Sequence, residues 1–227
     1  MRPDDARFAF TIVDDTEGAT LQNMEPVYGL FEELGLRTTK TVWVYPSRDK
    51  FDGLGLYDPE FRRFVLGLRD KGFGIALHGV GSGSFSREEI REGLEIYREI
   101  LGSYPEMHIN HCANPDNLYW GSKRFTPLLG GLLNRLLGER ADFRGEEPHS
   151  EHFWGDLSKR HVKYIRNHVF NGIVTSDFDR HSPYLLRRKE RWSNYWFSSS
   201  DGHGVAEFNR LTDPKNVDRL VASGGWC

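Results

Sequence analysis

Short apolar segments alternate with longer, mixed segments along the first half of the chain. The run 8–13 is rich in β-forming residues and ends at an acidic pair, Asp14 and Asp15. An apolar run of this length, without polar interruption, predicts a strand that is buried on both faces. Three further runs of strand length follow at 41–45, 73–77 and 107–110.

The segments between these runs have helical periodicity. The first has one apolar face and stops at Gly35, a residue typical of helix ends. The second begins at Asp58, a capping residue that is followed by proline at the first helical position. The third begins with a capping box formed by Ser86 and Glu89. Strict alternation of strands and helices predicts a parallel sheet with right-handed crossovers, and therefore an α/β fold.

The second half of the chain has a weaker pattern. Its apolar and aromatic residues lack the clean alternation of the first half, and its turn residues are less regularly spaced. We predict helices at 128–137 and 153–170, a strand at 172–175, long loops over 181–204 and a last helix at 214–222.

The composition fits a single α/β domain over residues 1–227. The formal net charge of −3 provides no basic field for nucleic acid or an anionic membrane, so neither is expected as a partner. No apolar run approaches the roughly 18 residues of a membrane span, and the N-terminus lacks a signal-peptide pattern. The two cysteines, Cys112 and Cys227, lie far apart. A reducing cytoplasm is therefore the expected location, and the oligomeric state stays open.

Polar residues follow three of the predicted strands at their carboxyl ends, where active sites of parallel α/β folds gather. They are the Asp14-Asp15 pair, His78 and His111. A carboxylate together with imidazoles is a good ligand set for a divalent metal, zinc in particular. Because adjacent strand residues point to opposite faces, one aspartate at most faces inward while the strand stays extended. The alternative for this pair is a helix cap on a solvated turn.

Two other segments have both a functional and a structural interpretation. The glycine-rich turn 79–84 suits a phosphate or sulfate ion, or else a tight turn that needs glycine conformations. The basic run 187–191 lies next to Trp192 and suits an acidic or sugar ligand. Its alternative is a solvated basic loop above a hydrophobic anchor.

The order of a strand, two aspartates, a later strand, a histidine and a serine-rich turn resembles the polysaccharide deacetylase family, in its divergent bacterial members. The resemblance implies an irregular (β/α) barrel. By the first motif Asp14 would be the general base and Asp15 a metal ligand. The second motif, H-x-x-x-H or H-x-x-x-S/T, is matched by His78 and Ser82, and implies that His78 is a ligand.

Several departures from the family pattern bear on the site. Thr16 replaces the usual glycine after the aspartates, and Ser82 stands where a second histidine is common. The third motif is absent, and we advance His111 as the third ligand. The last family strand, with its acid histidine, would begin where this chain ends at Cys227, so we expect a barrel without that strand. We assign substrate contacts to Ser82, Asn114, Trp120 and Trp192.

The expected function is therefore a zinc-dependent hydrolase that removes acetyl groups from an N-acetylated sugar or glycan. A first alternative is a catalytically degenerate barrel that only binds glycan. A second is another metal-dependent sugar enzyme, or a glycoside hydrolase that needs two carboxylates across the barrel. The carboxylates available for the latter are Glu147, Glu151, Asp177 and Asp179.

Overall fold

A computed structural model describes residues 6–126, 128–130, 132 and 142–227. Its centre is a curled parallel sheet of six strands, a partial (β/α) barrel in which each strand pairs with the next one in chain order. The α/β class predicted from the alternating pattern is confirmed. The strands are β1 (Val13–Asp14), β2 (Thr39–Val42), β3 (Gly74–Leu77), β4 (Met107–His108), β5 (Tyr164–Phe170) and β6 (Tyr195–Ser200).

Helices cover the outer face of the sheet and form the main core with it. Buried side chains of the helices, such as Tyr28, Phe61 and Leu94, pack in one cluster with the strand residues Val42 and Leu77. The helices are α1 (Leu21–Glu33), α2 (Pro59–Asp70), α3 (Arg87–Leu101), α4 (Gly155–His161), α5 (Val205–Leu211) and α6 (Pro214–Ser223).

The predicted helix starts of the first half are confirmed in atomic detail. The Asp58 carboxylate accepts hydrogen bonds from the first free amides of α2, at 2.8 and 2.9 Å. At α3, the hydroxyl of Ser86 accepts from the amide of Glu89, and the Glu89 carboxylate accepts from the amide of Ser86 at 2.8 Å. These caps satisfy amides that a helix leaves without partners.

The predicted helix at 153–170 is wrong. Helix α4 ends at His161, and β5 begins three residues later at Tyr164. Burial alternates from Tyr164 to Asn167, as it does in a strand with one covered face. The aromatic and β-branched residues of β5 pack well on a pleated surface, and this tertiary environment decides the local structure.

Two further predictions of the second half need correction. The segment 172–175 is not a strand, although the amide of Thr175 donates to the Trp226 carbonyl at 2.9 Å. The segment 181–204 is not loop throughout, because it contains β6. The predicted helix at 128–137 lies partly outside the described residues, and residues 128–130 and 132 are helical. The predicted last helix is confirmed as α6.

The C-terminal residues pair with the segment that leads into β1. Trp226 forms a parallel bridge with Ala9, and the amide of Ala9 donates to the Gly225 carbonyl at 3.1 Å. Residues 225–227 thus pair with residues 9–11, just before β1. In the part of the chain that the structure describes, no helix combines the length and the apolar character needed to cross a bilayer.

Candidate metal centre

Three side chains meet beside the carboxyl ends of β1, β3 and β4. Glu17 Oε1 lies 2.9 Å from His78 Nε2 and 3.1 Å from His111 Nε2. One ligand atom from each residue can be chosen so that all three lie within 4.8 Å of one another. Both imidazoles are buried, while about a quarter of the Glu17 side chain is exposed. We call this set the Glu-His-His triad.

His78 follows β3 and is held in one orientation by the backbone. Its Nδ1 lies 3.2 Å from the carbonyl oxygen of Ile109. Because a carbonyl can only accept, Nδ1 carries a proton, and in a neutral ring Nε2 then presents a lone pair to the triad. A backbone carbonyl on the outer nitrogen is the usual support of a metal-binding histidine.

His111 lies in the loop after β4, between aromatic rings. The rings of Trp43 and Phe51 contact it edge to face, with centroids 5.8 and 4.9 Å away. Its Nε2 also lies 3.4 Å from the hydroxyl of Ser82, which donates to Asp49 at 2.7 Å. Side chains from the loops after β2 and β3 therefore fix the direction of this ring.

Glu17 reaches the two histidines from the turn after β1. Gly18 follows it with a φ of +69°, a conformation that favours glycine. Burial would raise the pKa of the Glu17 carboxyl, but the hydrogen bonds with His111 and His78 outweigh it and hold the pKa far below its usual range. The carboxyl is thus ionised, as a ligand must be.

The donor set fits a divalent ion, zinc in particular. Two imidazoles and one carboxylate form a known catalytic zinc set, which leaves a fourth position open. Among the described residues, the buried atoms Glu17 Oε2 and His111 Nδ1 have no hydrogen-bond partner. Without a cation, His78 would have to be protonated to donate to Glu17 while Nδ1 bonds Ile109. A cation removes that requirement.

Asp15 lies on the inner face of the sheet and pairs with Arg166 of β5. Arg166 Nη2 lies 2.7 Å from Asp15 Oδ2, and Nη1 lies 3.4 Å from Oδ1. Burial would raise the pKa of Asp15, but the charge of Arg166 and its hydrogen bonds to the carboxylate outweigh burial and lower the pKa. Asp15 is therefore an ionised carboxylate beside the triad. This placement differs from the role of metal ligand that the resemblance implies, because both oxygens face a guanidinium group.

Asp14 points to the opposite face, as the alternation of strand residues requires. Its Oδ2 lies 2.9 Å from the ammonium of Lys40, and accepts from the hydroxyl of Tyr28 at 3.0 Å. Tyr28 belongs to the helix layer. The placement differs from the role of general base, because Asp14 is held by partners on the side away from His78.

His108 is also turned to the outer face. It pairs in register with Leu77 and contacts the ring of Trp154 edge to face at 4.9 Å. Burial lowers the pKa of His108 to about 3, so this ring is neutral at physiological pH. Of the histidines near β4, the structure brings His111 to the triad.

The predicted substrate residues do not gather at one place. Ser82 touches His111 of the triad. Asn114 is buried and binds the glycine-rich turn, because its side chain donates to Gly81 and accepts from Gly83, both at 2.8 Å. The turn thus has the structural role that the sequence analysis left open.

The two tryptophans lie outside the triad. The ring of Trp120 stacks with the guanidinium of Arg124, 3.3 Å from its centroid. Trp192 contacts Phe153 edge to face and lines a separate pocket. The ring contacts of both tryptophans are with residues outside the triad, and their assignment to the substrate stays a prediction.

The carboxylates considered for glycoside hydrolysis do not belong to the triad, and each has a partner, which for Glu151 is His152 at 3.6 Å. Glu147 lies 2.7 Å from Lys123, Asp177 lies 2.8 Å from Arg219, and Asp179 accepts from Ser198 at 2.6 Å.

Glu17 is the functional candidate that the sequence analysis missed. Attention there rested on the acidic pair that ends β1, whereas Glu17 lies two residues beyond it, in a turn. The sequence did contain a signal for Glu17. It is an acidic residue followed by a glycine just after the predicted first strand, and glycine allows the sharp turn that brings a side chain back over the strand ends. Comparisons of the chain with protein-family models, with curated proteins and with solved structures found no match.

Proposed function

We propose that the protein is a metal-dependent hydrolase in which Glu17, His78 and His111 bind a divalent cation, with zinc favoured. The observation that carries the proposal is the convergence of one ionised carboxylate and two buried imidazoles at the active-site end of a parallel sheet. When bound, such an ion polarises a carbonyl group and lowers the pKa of water towards neutrality.

The residues around the triad supply the remaining functions of a hydrolase. Asp15 is ionised and lies beside His78, so it can accept a proton from an attacking water. Arg166 keeps that carboxylate charged and in place, and its own Nε has no partner among the described residues. We therefore assign the general base to Asp15 and a positioning role to Arg166.

The substrate class comes from the motif resemblance of the sequence. An N-acetyl group on a sugar carries the amide carbonyl that a zinc hydrolase of this kind would act on. The deacetylase type of barrel, a sugar as substrate and the release of acetate are parts of the same proposal.

Metal analysis of the purified protein tests the triad directly. We expect about one zinc per chain, with binding reduced at least tenfold in His78→Ala and His111→Ala. Glu17→Gln keeps the shape of the side chain but removes its charge, and should lose zinc as well. The matched control is His203→Ala, because His203 is an exposed histidine. Equal zinc content in all four variants would rule out this site.

Acetate release from N-acetylglucosamine oligomers tests the reaction. We expect activity that chelators remove and zinc restores, and a loss of at least a hundredfold in Asp15→Asn with zinc still bound. Asp14→Asn should retain most activity, since Asp14 faces the helices. If the protein binds zinc but releases no acetate, the proposed metal site stands and the proposed deacetylase activity is refuted.

A further inference from the structure

A second pocket lies among the loops that contain residues 119, 144–150 and 188–192. It has a volume of about 590 Å³, which suits a small-molecule ligand. Its lining shares no residue with the Glu-His-His triad. The lining includes Tyr119, Arg144, Glu146, Arg188, Arg191 and Trp192. We call it the arginine pocket.

Two arginines of this pocket have no carboxylate within ion-pair distance in the described part of the chain. Arg191 lies over the ring of Trp192, with 4.5 Å between the guanidinium carbon and the ring centroid. A guanidinium stacked in this way keeps its N–H edges available for an oxyanion. Arg188 uses one nitrogen to donate to the carbonyl of Arg124 at 2.5 Å, and its other donors have no described acceptor.

The acidic groups of the pocket are occupied by other partners. Glu146 accepts from the backbone amide of Tyr119 and lies 3.1 Å from Lys123. Lys123 also pairs with Glu147 at 2.7 Å. Lys123 balances one of these two carboxylates, so Arg188 and Arg191 together leave the pocket with a small net positive charge.

Tyr119 is built into this pocket at a conformational cost. Its φ of +47° makes it the one non-glycine residue in the left-handed region within the described part of the chain. A bulky residue adopts this conformation only where its surroundings enforce it, and such strain gathers at functional sites. The Glu146 carboxylate holds its amide, and the ring of Trp196 contacts its own ring edge to face at 6.1 Å.

A buried ammonium group lies behind the Tyr119 ring. Lys189 is 1% exposed, and its Nζ has no hydrogen-bond partner among the described residues. Nζ lies 4.3 Å from the ring centroid of Trp196 and 5.6 Å from that of Tyr119. When this amino group is protonated, the aromatic faces stabilise its charge, and it then adds to the positive potential of the pocket.

We propose that the arginine pocket binds a small sugar-sized molecule that carries an oxyanion, a phosphate or a carboxylate group. Arg188 and Arg191 bind the oxyanion through charge-assisted hydrogen bonds. The ring of Tyr119 contacts the uncharged part of the ligand. This site is independent of the proposed hydrolase, since it uses none of the residues that bind the metal or accept the proton.

Calorimetric titration of the metal-free chain of 227 residues tests the proposal, because metal removal excludes binding of the anion to zinc. The probes are inorganic phosphate, glucose 6-phosphate, glucuronate and glucose. We expect glucose 6-phosphate or glucuronate to bind, and glucose not to bind. Binding of phosphate compounds alone, or of glucuronate alone, identifies which oxyanion is recognised. Absence of binding by every charged probe would overturn the proposal.

Variants locate the binding within the pocket. Arg188→Gln and Arg191→Gln should each weaken the binding of the charged probe about tenfold. Arg187→Gln is the matched control, since Arg187 is an exposed neighbour outside the lining. Tyr119→Gly relieves the strain and removes the ring, so it should weaken sugar phosphate more than inorganic phosphate. Unchanged affinity in the Arg188 and Arg191 variants would overturn the site, whereas His78→Ala should leave this binding intact.

Discussion

Lys189 is a residue whose protonation opposes folding near neutral pH. Burial, and then the charges of Arg188 and Arg124, lower the pKa of Lys189 from about 10.5 to about 7, while Glu146 acts weakly in the other direction. The unfolded chain therefore binds more protons than the folded chain between these two pH values. The free energy of unfolding therefore rises with pH in this window. This gain in stability is lost again as pH falls from about 10.5 to about 7.

Replacement of Lys189 by methionine tests whether the free energy of unfolding rises with pH for this reason. Lys189→Met should raise the free energy of unfolding at pH 7 by an amount on the order of 1–3 kcal/mol, and by clearly less at pH 9.5. Urea unfolding at the two pH values measures the difference. Lys215→Met, at an exposed position, controls for the loss of a lysine. A variant that is equally destabilised at both pH values would show that the ammonium group is not the cause.

At the scale of single residues, the sequence predicted only part of the candidate metal centre. His78 and His111 were found because they follow strands, and the ends of parallel strands meet at one edge of a sheet. Glu17 was missed because its position depends on how the turn at Gly18 folds back. The ion-pair partners of the two aspartates, Lys40 for Asp14 and Arg166 for Asp15, could not be predicted either, because they lie on other strands.

At the scale of elements, helices with explicit start signals were the predictable part. The capping box of α3 is local in sequence, so Ser86 and Glu89 are enough to predict it. Helix α4 lacks a side-chain cap, and Trp154 stands at its cap position. Strand β5 follows it without a glycine or proline boundary, so the sequence pattern could not separate the two elements.

The α3 cap gives a prediction at this scale. Ser86→Ala removes the acceptor for the Glu89 amide and should reduce the free energy of unfolding by about 1 kcal/mol. Urea unfolding of the variant measures the loss. The matched control is Ser84→Ala, because Ser84 lies in the preceding loop outside the cap. If Ser84→Ala costs as much as Ser86→Ala, the stability of this region does not depend on the capping box.

At the scale of the whole molecule, the contacts that join the two ends of the chain could not be read from sequence. Successive strands pair in order, so the parallel arrangement of β1 to β4 follows from the alternating pattern of the first half, whereas β5 and β6 were not predicted. The pairing of residues 225–227 with residues 9–11 joins segments more than 200 residues apart. It places residues 225–227 beside the segment that leads into β1, the strand that precedes the triad residue Glu17.

We expect the stability of the sheet, and with it the candidate metal centre, to depend on this junction. Gly225 has no room for a side chain, because an added Cβ would lie 2.5 Å from Ser176 and 2.8 Å from Val174. Gly225→Val should therefore displace the C-terminal segment and lower the free energy of unfolding by roughly 2–4 kcal/mol. Ala222→Val adds bulk at an exposed site of α6 and is the control.

Gly225→Val should also weaken zinc binding. The segment that leads into β1 would lose its hydrogen bonds to Gly225 and Cys227, and the turn after β1 carries Glu17. Urea unfolding and metal content, measured on Gly225→Val and on Ala222→Val together, separate the two effects. Loss of stability with full zinc content would mean that the triad is held by β3 and β4 without help from the C-terminal junction. Unchanged stability would mean that the junction contributes nothing to the fold.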